Sequence, residues 1–415
     1  MRTFIFPITI LLAATFAPAE NWPRFRGPTG QGHCSESNLP TKWSPTENIA
    51  WETPIPGQGW SSPIVWDNKI FLTTATDGGI SCRILCLDAK TGQILFNKEV
   101  FQQQLKRKEN KNSFATPTPC TDGQLVYAAF GDGSIAAVDF SGQIAWTYRE
   151  FKYYSQHGLG NSPILFNDTL IMSYDPSNET GDKQIGWKIP WDKALLLALD
   201  KKTGLVKWQG RRGKSRIAHT TPSIITIDGK LQMISAAGDA IQAHDPATGQ
   251  LIWTVYAQGE GVVPSPVFGD GLVFAASGFE KSTIRAVRPD GTADVTKTHI
   301  AWEQTANVPM MSSFIFANHL LFTTKENGLA QCLDPKTGKP LWQQRLDGTY
   351  SPSPVFADGK LYFLSEQGLT TIIEPSAQFK LLAKNAIDET CQASLAISNN
   401  RLLLRSEKNL FCIGQ

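Results

Sequence analysis

Short runs of Ile, Val, Leu and Phe recur along the chain, each cut off by Asp, Asn, Gly or Lys at turn positions. Residues 61–100 show the unit: SSPIVW, Asp67-Asn68, KIFLTTA, a Gly-rich turn, CRILCLD, AKTG and QILFNKEV. Runs of this length, rich in β-branched and aromatic residues, predict strands. The Asp-Asn, Asp-Gly and Thr-Gly pairs predict hairpin turns, because Gly and Asn accept positive φ. The same order returns over 116–150, 161–209, 220–257, 264–304, 311–346 and 351–384. Asp122-Gly123, Asp228-Gly229, Asp270-Gly271 and Asp358-Gly359 mark first hairpins.

The units also end alike, in Asp, a few residues, Thr-Gly and then a Trp. Clear copies are LDAKTGQILF (87–96), VDFSGQIAW (138–146), LDKKTGLVKW (199–208), HDPATGQLIW (244–253) and LDPKTGKPLW (333–342). VRPDGTADVTKTHIAW (287–302) diverges, and IEPSAQFKLL (373–382) is worn. Gly92, Gly142, Gly204, Gly249, Gly291 and Gly338 follow at intervals of 50, 62, 45, 42 and 47 residues. That period is the mark of a repeat architecture, and four antiparallel strands per repeat are the blades of a β-propeller. Residues 393–415 supply three strands without a Trp-bearing fourth, while NIAWETPIPG (48–57) reads as that fourth strand. The expectation is therefore an all-β, eight-bladed propeller whose last blade is closed by the N-terminal strand, with seven blades as the alternative. Trp51, Phe96, Trp146, Trp208, Trp253, Trp302 and Trp342 fall in the fourth strands and are expected to dock one blade on the next. A fully covered ring of that size stabilises by roughly 2–3 kcal/mol.

The chain has 415 residues, 41% of them hydrophobic. Length alone suggests several domains; the repeat argues for one toroidal domain over 48–415, preceded by an extension over 20–47. Residues 1–19 read as a secretory leader: Arg2, the apolar run FIFPITILLAATF, and the small-residue site Ala17-Pro18-Ala19, with cleavage expected after Ala19. The formal charge of +2 drops by one, for Arg2, when the leader leaves, so nothing favours nucleic acid or another polyanion. The mature chain is expected to be a soluble periplasmic or secreted monomer without a transmembrane segment. Seven cysteines include no CxxCH haem sequence and no zinc-type CxxC pair. Cys82 and Cys86 share a strand face about 13 Å apart, beyond bridging distance. Cys391 and Cys412 are a candidate disulfide within the last blade; the others read as buried apolar residues.

These motifs resemble the blade repeat of pyrroloquinoline quinone (PQQ) dehydrogenases and their non-enzymatic relatives. Among those relatives is the propeller lipoprotein of the outer-membrane β-barrel assembly machinery. NWPRFRGPTGQG (21–32), YSQHGLGNSPILFNDTLIM (154–172) and GEGVVPSPVFGDGLVFAASG (259–278) are similar to exported PQQ-like propellers of planctomycete-type bacteria. For the enzymes the resemblance implies PQQ with calcium, adjacent cysteines over the quinone, and Glu, Asn and Asp beside it. The chain has no Cys-Cys dipeptide, and no calcium and base constellation can be placed on its residues.

Ligand sites favour concave mouths, and in a propeller the segments entering the innermost strands converge on one. Those segments carry Trp60, Phe114, His157, His219, Glu260, Met310, Tyr350 and Glu389, with Arg216 just upstream of His219. One reading is a site for a small anionic or aromatic ligand, with Arg216 and His219 supplying charge and Trp60 and Tyr350 supplying faces. The other is a water-filled channel with satisfied side chains. His157, His219 and Glu260 are a conceivable metal set, but their spacing carries no motif, and no metal site is expected. Lys106-Arg107-Lys108 with Lys111 reads as a solvated loop. Asp175–Lys188 has acids at calcium-loop spacing but Gly186 at the twelfth place, so it reads as a surface insertion. The functional expectation is a non-catalytic binding or scaffolding module of the cell envelope, contacting protein or envelope material. The alternatives are a PQQ-dependent alcohol or sugar dehydrogenase and a carbohydrate- or polymer-binding envelope protein.

Overall fold

A computed structural model describes residues 20–414. The leader and its cut after Ala19 lie outside the described residues. Eight antiparallel sheets form the ring, each with its first strand innermost. Blade 1 comprises Ile64–Trp66, Lys69–Thr76, Ser81–Asp88 and Ile94–Gln102. The last blade pairs Ala396–Ser398, Arg401–Arg405 and Asn409–Ile413 with Ile49–Pro54, so the two ends of the chain meet in one sheet. Closure through a shared sheet removes the open edge that a linear stack would expose.

Each of the two middle strands is almost wholly buried, because neighbouring blades cover both of its faces. Phe71, Leu72, Ile84, Leu85 and Leu87 of blade 1 are all fully covered. The outer strands alternate instead, as in Ile144–Tyr148, whose Trp146 faces inward beside exposed neighbours.

The fourth-strand aromatics reach across to the following blade. The Trp51 ring lies over Gly92, where an added Cβ would sit 2.5 Å from the indole, and its N–H donates to the Ala89 carbonyl at 3.2 Å. With φ at 74°, Gly92 also adopts a left-handed conformation that side chains disfavour, so two constraints select glycine there. Trp146 covers Gly204 and donates to Lys201 O, and Trp302 covers Gly338 and donates to Pro335 O. Trp342 donates to Ser376 O, Trp208 covers Gly249, and Phe96 covers Gly142. Trp253 departs from this pattern. The next blade has Arg288-Pro-Asp-Gly where blades 1, 3, 4 and 6 have Asp-x-x-Thr-Gly, and the indole donates to Gln232 Oε1 of its own blade.

The same divergence adds a strand. Between the third and fourth strands of blade 5 the chain swings out, and Ala293–Asp294 pairs in parallel with Trp253 and Thr254 of blade 4. Blade 4 thus has five strands. All seven cysteines are buried free thiols, including Cys391 and Cys412, which corrects the candidate disulfide.

Candidate functional site

The inner strands begin at the axis with a hydroxyl-bearing residue, usually followed by proline: Ser62, Thr118, Ser162, Thr221, Ser265, Ser313, Ser353 and Ser394. From Ser62 to Ser353, the backbone N–H of each donates to the hydroxyl oxygen of the next, at 2.9–3.3 Å. The result is a girdle of hydroxyls around the axis, one per blade. Because each bonded oxygen accepts a backbone proton, its own proton remains to be given elsewhere.

The girdle borders an axial chamber of about 610 Å³. Its floor is the N-terminal segment. Trp22 exchanges backbone hydrogen bonds with Val65 of blade 1, and Pro23 O accepts from Thr121 N of blade 2. The chain then crosses the axis, presenting Phe25 to the chamber. On the far side Arg26 donates to Phe314 O of blade 6, Gln31 accepts from Phe268 N of blade 5, and Gly32 O accepts from Phe356 N of blade 7. Burial pushes the Arg26 guanidinium down to about 9.

Two excursions overhang the mouth. The loop carrying Glu109–Asn112 lines the chamber and is clasped to blade 3, with Asn112 donating to His157 O at 2.8 Å. Its Lys111 reaches Glu366 of blade 7 at 2.8 Å, and its Lys106 meets Glu179 of the second excursion at 2.9 Å. The second excursion places Trp187 edge-on to His157, ring centres 6.2 Å apart, and Lys188 on Glu260 at 2.7 Å. The basic run and the acidic insertion thus both reach the mouth, while Arg107, Lys111 and residues 179–184 remain exposed, in keeping with a solvated loop and a surface insertion. Asp175, at the start of the insertion, is buried against Arg212, and Arg212 also donates to Ser235 of blade 4. Burial raises the Asp175 carboxyl to about 6, opposed by the Arg212 charge.

The candidate mouth residues divide. Trp60, His157, His219 and Glu260 line the chamber. Phe114 instead borders a second cavity, of about 400 Å³, beside the 76–79 turn. Arg216 is held by Asp239, as close as 2.6 Å, and by Glu280 at 2.5 Å, outside the chamber lining. Met310 gives its lining place to Met311. Tyr350 is buried, its hydroxyl donating to Asp347 O. Glu389 accepts from Ser406 and Asn409. With Arg216 neutralised and Tyr350 covered, the charge and one of the faces proposed for an anionic ligand are not at the axis.

Three groups in the chamber have unused hydrogen-bonding capacity. His219 is 7% exposed and neither ring nitrogen has a partner; its ring centre is 5.7 Å from that of His157. Burial, with His157 adding to it, pushes His219 down to about 3, so the ring is neutral. Glu260 accepts from Lys188 through Oε1 and leaves Oε2 buried without a partner. Glu326 accepts from the backbone of Met310 and Met311 through Oε1, and its Oε2 is likewise unpartnered.

A neutral buried histidine makes acid stability predictable. The unfolded chain takes up the proton near its ordinary 6.5 while the fold resists it to about 3. Stability is therefore full above the unfolded value and declines as pH falls between the two. His244, pushed down to about 4 chiefly by burial, acts in the same direction. Urea midpoints measured from about pH 7 to about pH 4 are expected to fall, and to fall less in His219→Gln.

The partners needed for PQQ with calcium are not assembled here. The cysteines are separate, and among the described residues no group of three His, Cys, Asp or Glu side chains is placed to hold a metal ion. The unpaired carboxylate oxygens of Glu260 and Glu326 would also face the quinone's own carboxylates.

Fold and site define a closed eight-bladed propeller of PQQ-like repeats with a blind axial chamber floored by its own N-terminal segment. Residues 35–150, 190–298 and 280–378 match the family described as outer membrane protein assembly factor BamB, and the chain belongs to that family. BamB from Moraxella catarrhalis superposes with a TM-score of 0.60 at 15% identity, covering 88% of this chain and 97% of that one. The computationally designed Ika8 protein gives 0.59 at 12% identity, with 87% and 98% covered. Quinohemoprotein alcohol dehydrogenase from Comamonas testosteroni gives 0.48 at 11%, with 95% and 81% covered. No curated protein matches the chain in sequence. Among the described residues, no helix is long and apolar enough to cross a membrane.

Sequence reasoning missed Phe25, Glu326 and the hydroxyl girdle. The girdle had a readable signal, a Ser or Thr before proline at the start of six blades. Phe25 and Glu326 had none, since each reaches the axis through contacts distant in sequence.

Proposed function

We propose that the protein is a non-catalytic binding module of the cell envelope, exported by its leader and cleaved after Ala19, that engages protein partners through the outer edges of its blades. The observation that carries this reading is the parallel pairing of Ala293–Asp294 on blade 4. It demonstrates within the molecule that an outer edge accepts an added strand. Other outer strands, and the residues leading into them, expose aliphatic side chains: Leu95, Ile144, Leu205, Leu341 and Leu381 are each more than 40% exposed. A strand edge flanked by exposed apolar side chains suits β-strand addition, where backbone bonds give affinity and side-chain pockets give specificity. The family's description as an outer-membrane assembly factor agrees with a protein partner.

The test places a photoreactive residue at Leu95, Leu205 or Leu341 of the exported chain and maps the cross-linked envelope proteins. One partner is expected from edge positions, with about tenfold less capture when Leu205→Lys and Leu341→Lys are combined. Unchanged capture in that variant would reject the edge as the docking surface. Steady dye-linked oxidation of alcohols or sugars after adding PQQ and calcium would overturn the non-catalytic reading.

A further inference from the structure

The axial chamber is built beyond what a protein-docking role requires. Its polar groups lie on opposite sides of a hydrogen-bonding balance. Glu260 Oε2 and Glu326 Oε2 are acceptors without donors, and both are buried. The girdle hydroxyls each take one backbone N–H on their oxygen and keep a proton to give. His219, neutral and without a partner, offers one donor and one acceptor. Leaving buried polar groups unpaired costs about 1–3 kcal/mol each, so the chamber is suited to a guest that satisfies both kinds.

The charge balance selects the class of guest. An anion here meets the free carboxylate oxygens of Glu260 and Glu326, while the nearby cations are already engaged, Lys188 by Glu260 itself, Lys111 by Glu366, and Arg216 by Asp239 and Glu280. A simple ammonium ion satisfies the carboxylates but cannot accept from the girdle hydroxyls. A neutral molecule bearing several hydroxyls does both, because each hydroxyl donates one proton and accepts others. Trp60, Phe25 and Phe279 line the same space and supply apolar surface for the C–H faces of a sugar ring. The volume of about 610 Å³ lies within the range of small-molecule sites.

We propose that the axial chamber binds a neutral saccharide of one or two rings, its hydroxyls donating to Glu260 Oε2 and Glu326 Oε2 and accepting from the hydroxyl girdle, with His219 bridging. Access is from the side overhung by Lys111 and Lys188, since the N-terminal segment floors the other end. The proposal stands on the chamber alone and is independent of the outer blade edges.

The experiment is isothermal titration of the mature chain with glucose, maltose and trehalose, each to about 10 mM, beside glucuronate and PQQ. At least one neutral sugar is expected to bind. Glu326→Gln keeps the Oε1 contacts but turns the free acceptor into a donor, and is expected to weaken binding about tenfold. His219→Phe is expected to abolish binding. If that variant does not fold, Trp60→Leu takes its place and is expected to weaken binding about tenfold. No heat from any of the three sugars, or heat only from glucuronate or PQQ, overturns the proposal. Sugar binding unchanged in both Glu326→Gln and Trp60→Leu also overturns it, because the sugar would then sit elsewhere.

Discussion

Trp22→Ala is expected to destabilise the protein by about 3–5 kcal/mol, the cost of emptying a large aromatic site in a packed interior. The Trp22 ring is fully covered, its backbone pairs in both directions with Val65, and it packs so closely on Gly27 that a Cβ there would fall 2.7 Å from the indole. The residue anchors the strap before it crosses the axis, so its loss is felt at the chamber floor. Urea denaturation measures the stability, and limited proteolysis between residues 20 and 34 reports the floor. Phe25→Ala provides the contrast. Phe25 is only partly buried and faces the chamber, so its truncation is expected to change chamber occupancy more than the unfolding midpoint. Equal losses in the two variants would show that strap and floor unfold as one unit.

Arg212→Ala is expected to cost about 3–5 kcal/mol, because it leaves the Asp175 carboxylate buried without its counter-charge. The side chains of Arg212 and Asp175 are 0% and 2% exposed. Neither ion is fully satisfied, since Asp175 Oδ1 and Arg212 Nε lack partners. A buried pair of this kind adds little net stability over apolar packing, while half of it is strongly destabilising. The double variant Asp175→Leu/Arg212→Met is therefore expected to regain most of what Arg212→Ala loses. Denaturant midpoints of the variants, assembled as a double-mutant cycle, test this. A double variant no better than Arg212→Ala would mean that the bond from Arg212 to Ser235 of blade 4 outweighs the ion pair.

The repeat was legible because its determinants are local. Strand, turn and Trp positions are set within ten or so residues, and the glycine of the third-to-fourth-strand turn gives most following blades a surface on which the preceding aromatic ring lies. The last blade was legible for a related reason, a missing Trp strand at one end and a spare one at the other. The mouth was harder to read. Arg216 looked free because Asp239 and Glu280 lie 23 and 64 residues away, and no local pattern announces such partners. Tyr350 looked like a ligand face, but Asp347 O, three residues back, takes its hydroxyl. The strap over 20–34 has neither strand nor helix periodicity. Its path is fixed by pairing with Val65, Phe314 and Phe356, contacts that exist only once the ring has closed. Trp253 shows the converse. Its indole N–H turns to Gln232 of its own blade, where blade 5 carries the divergent Arg288-Pro-Asp-Gly segment and its swung-out strand.

Joining Ile49–Pro54 to Asn409–Ile413 has a consequence for assembly. A ribosome makes the first of these strands more than three hundred residues before its partner exists. Until then the nascent ring is an open arc with an exposed edge. The fold therefore cannot close until synthesis is complete, and the slowest step in its folding is expected to be the meeting of its two ends.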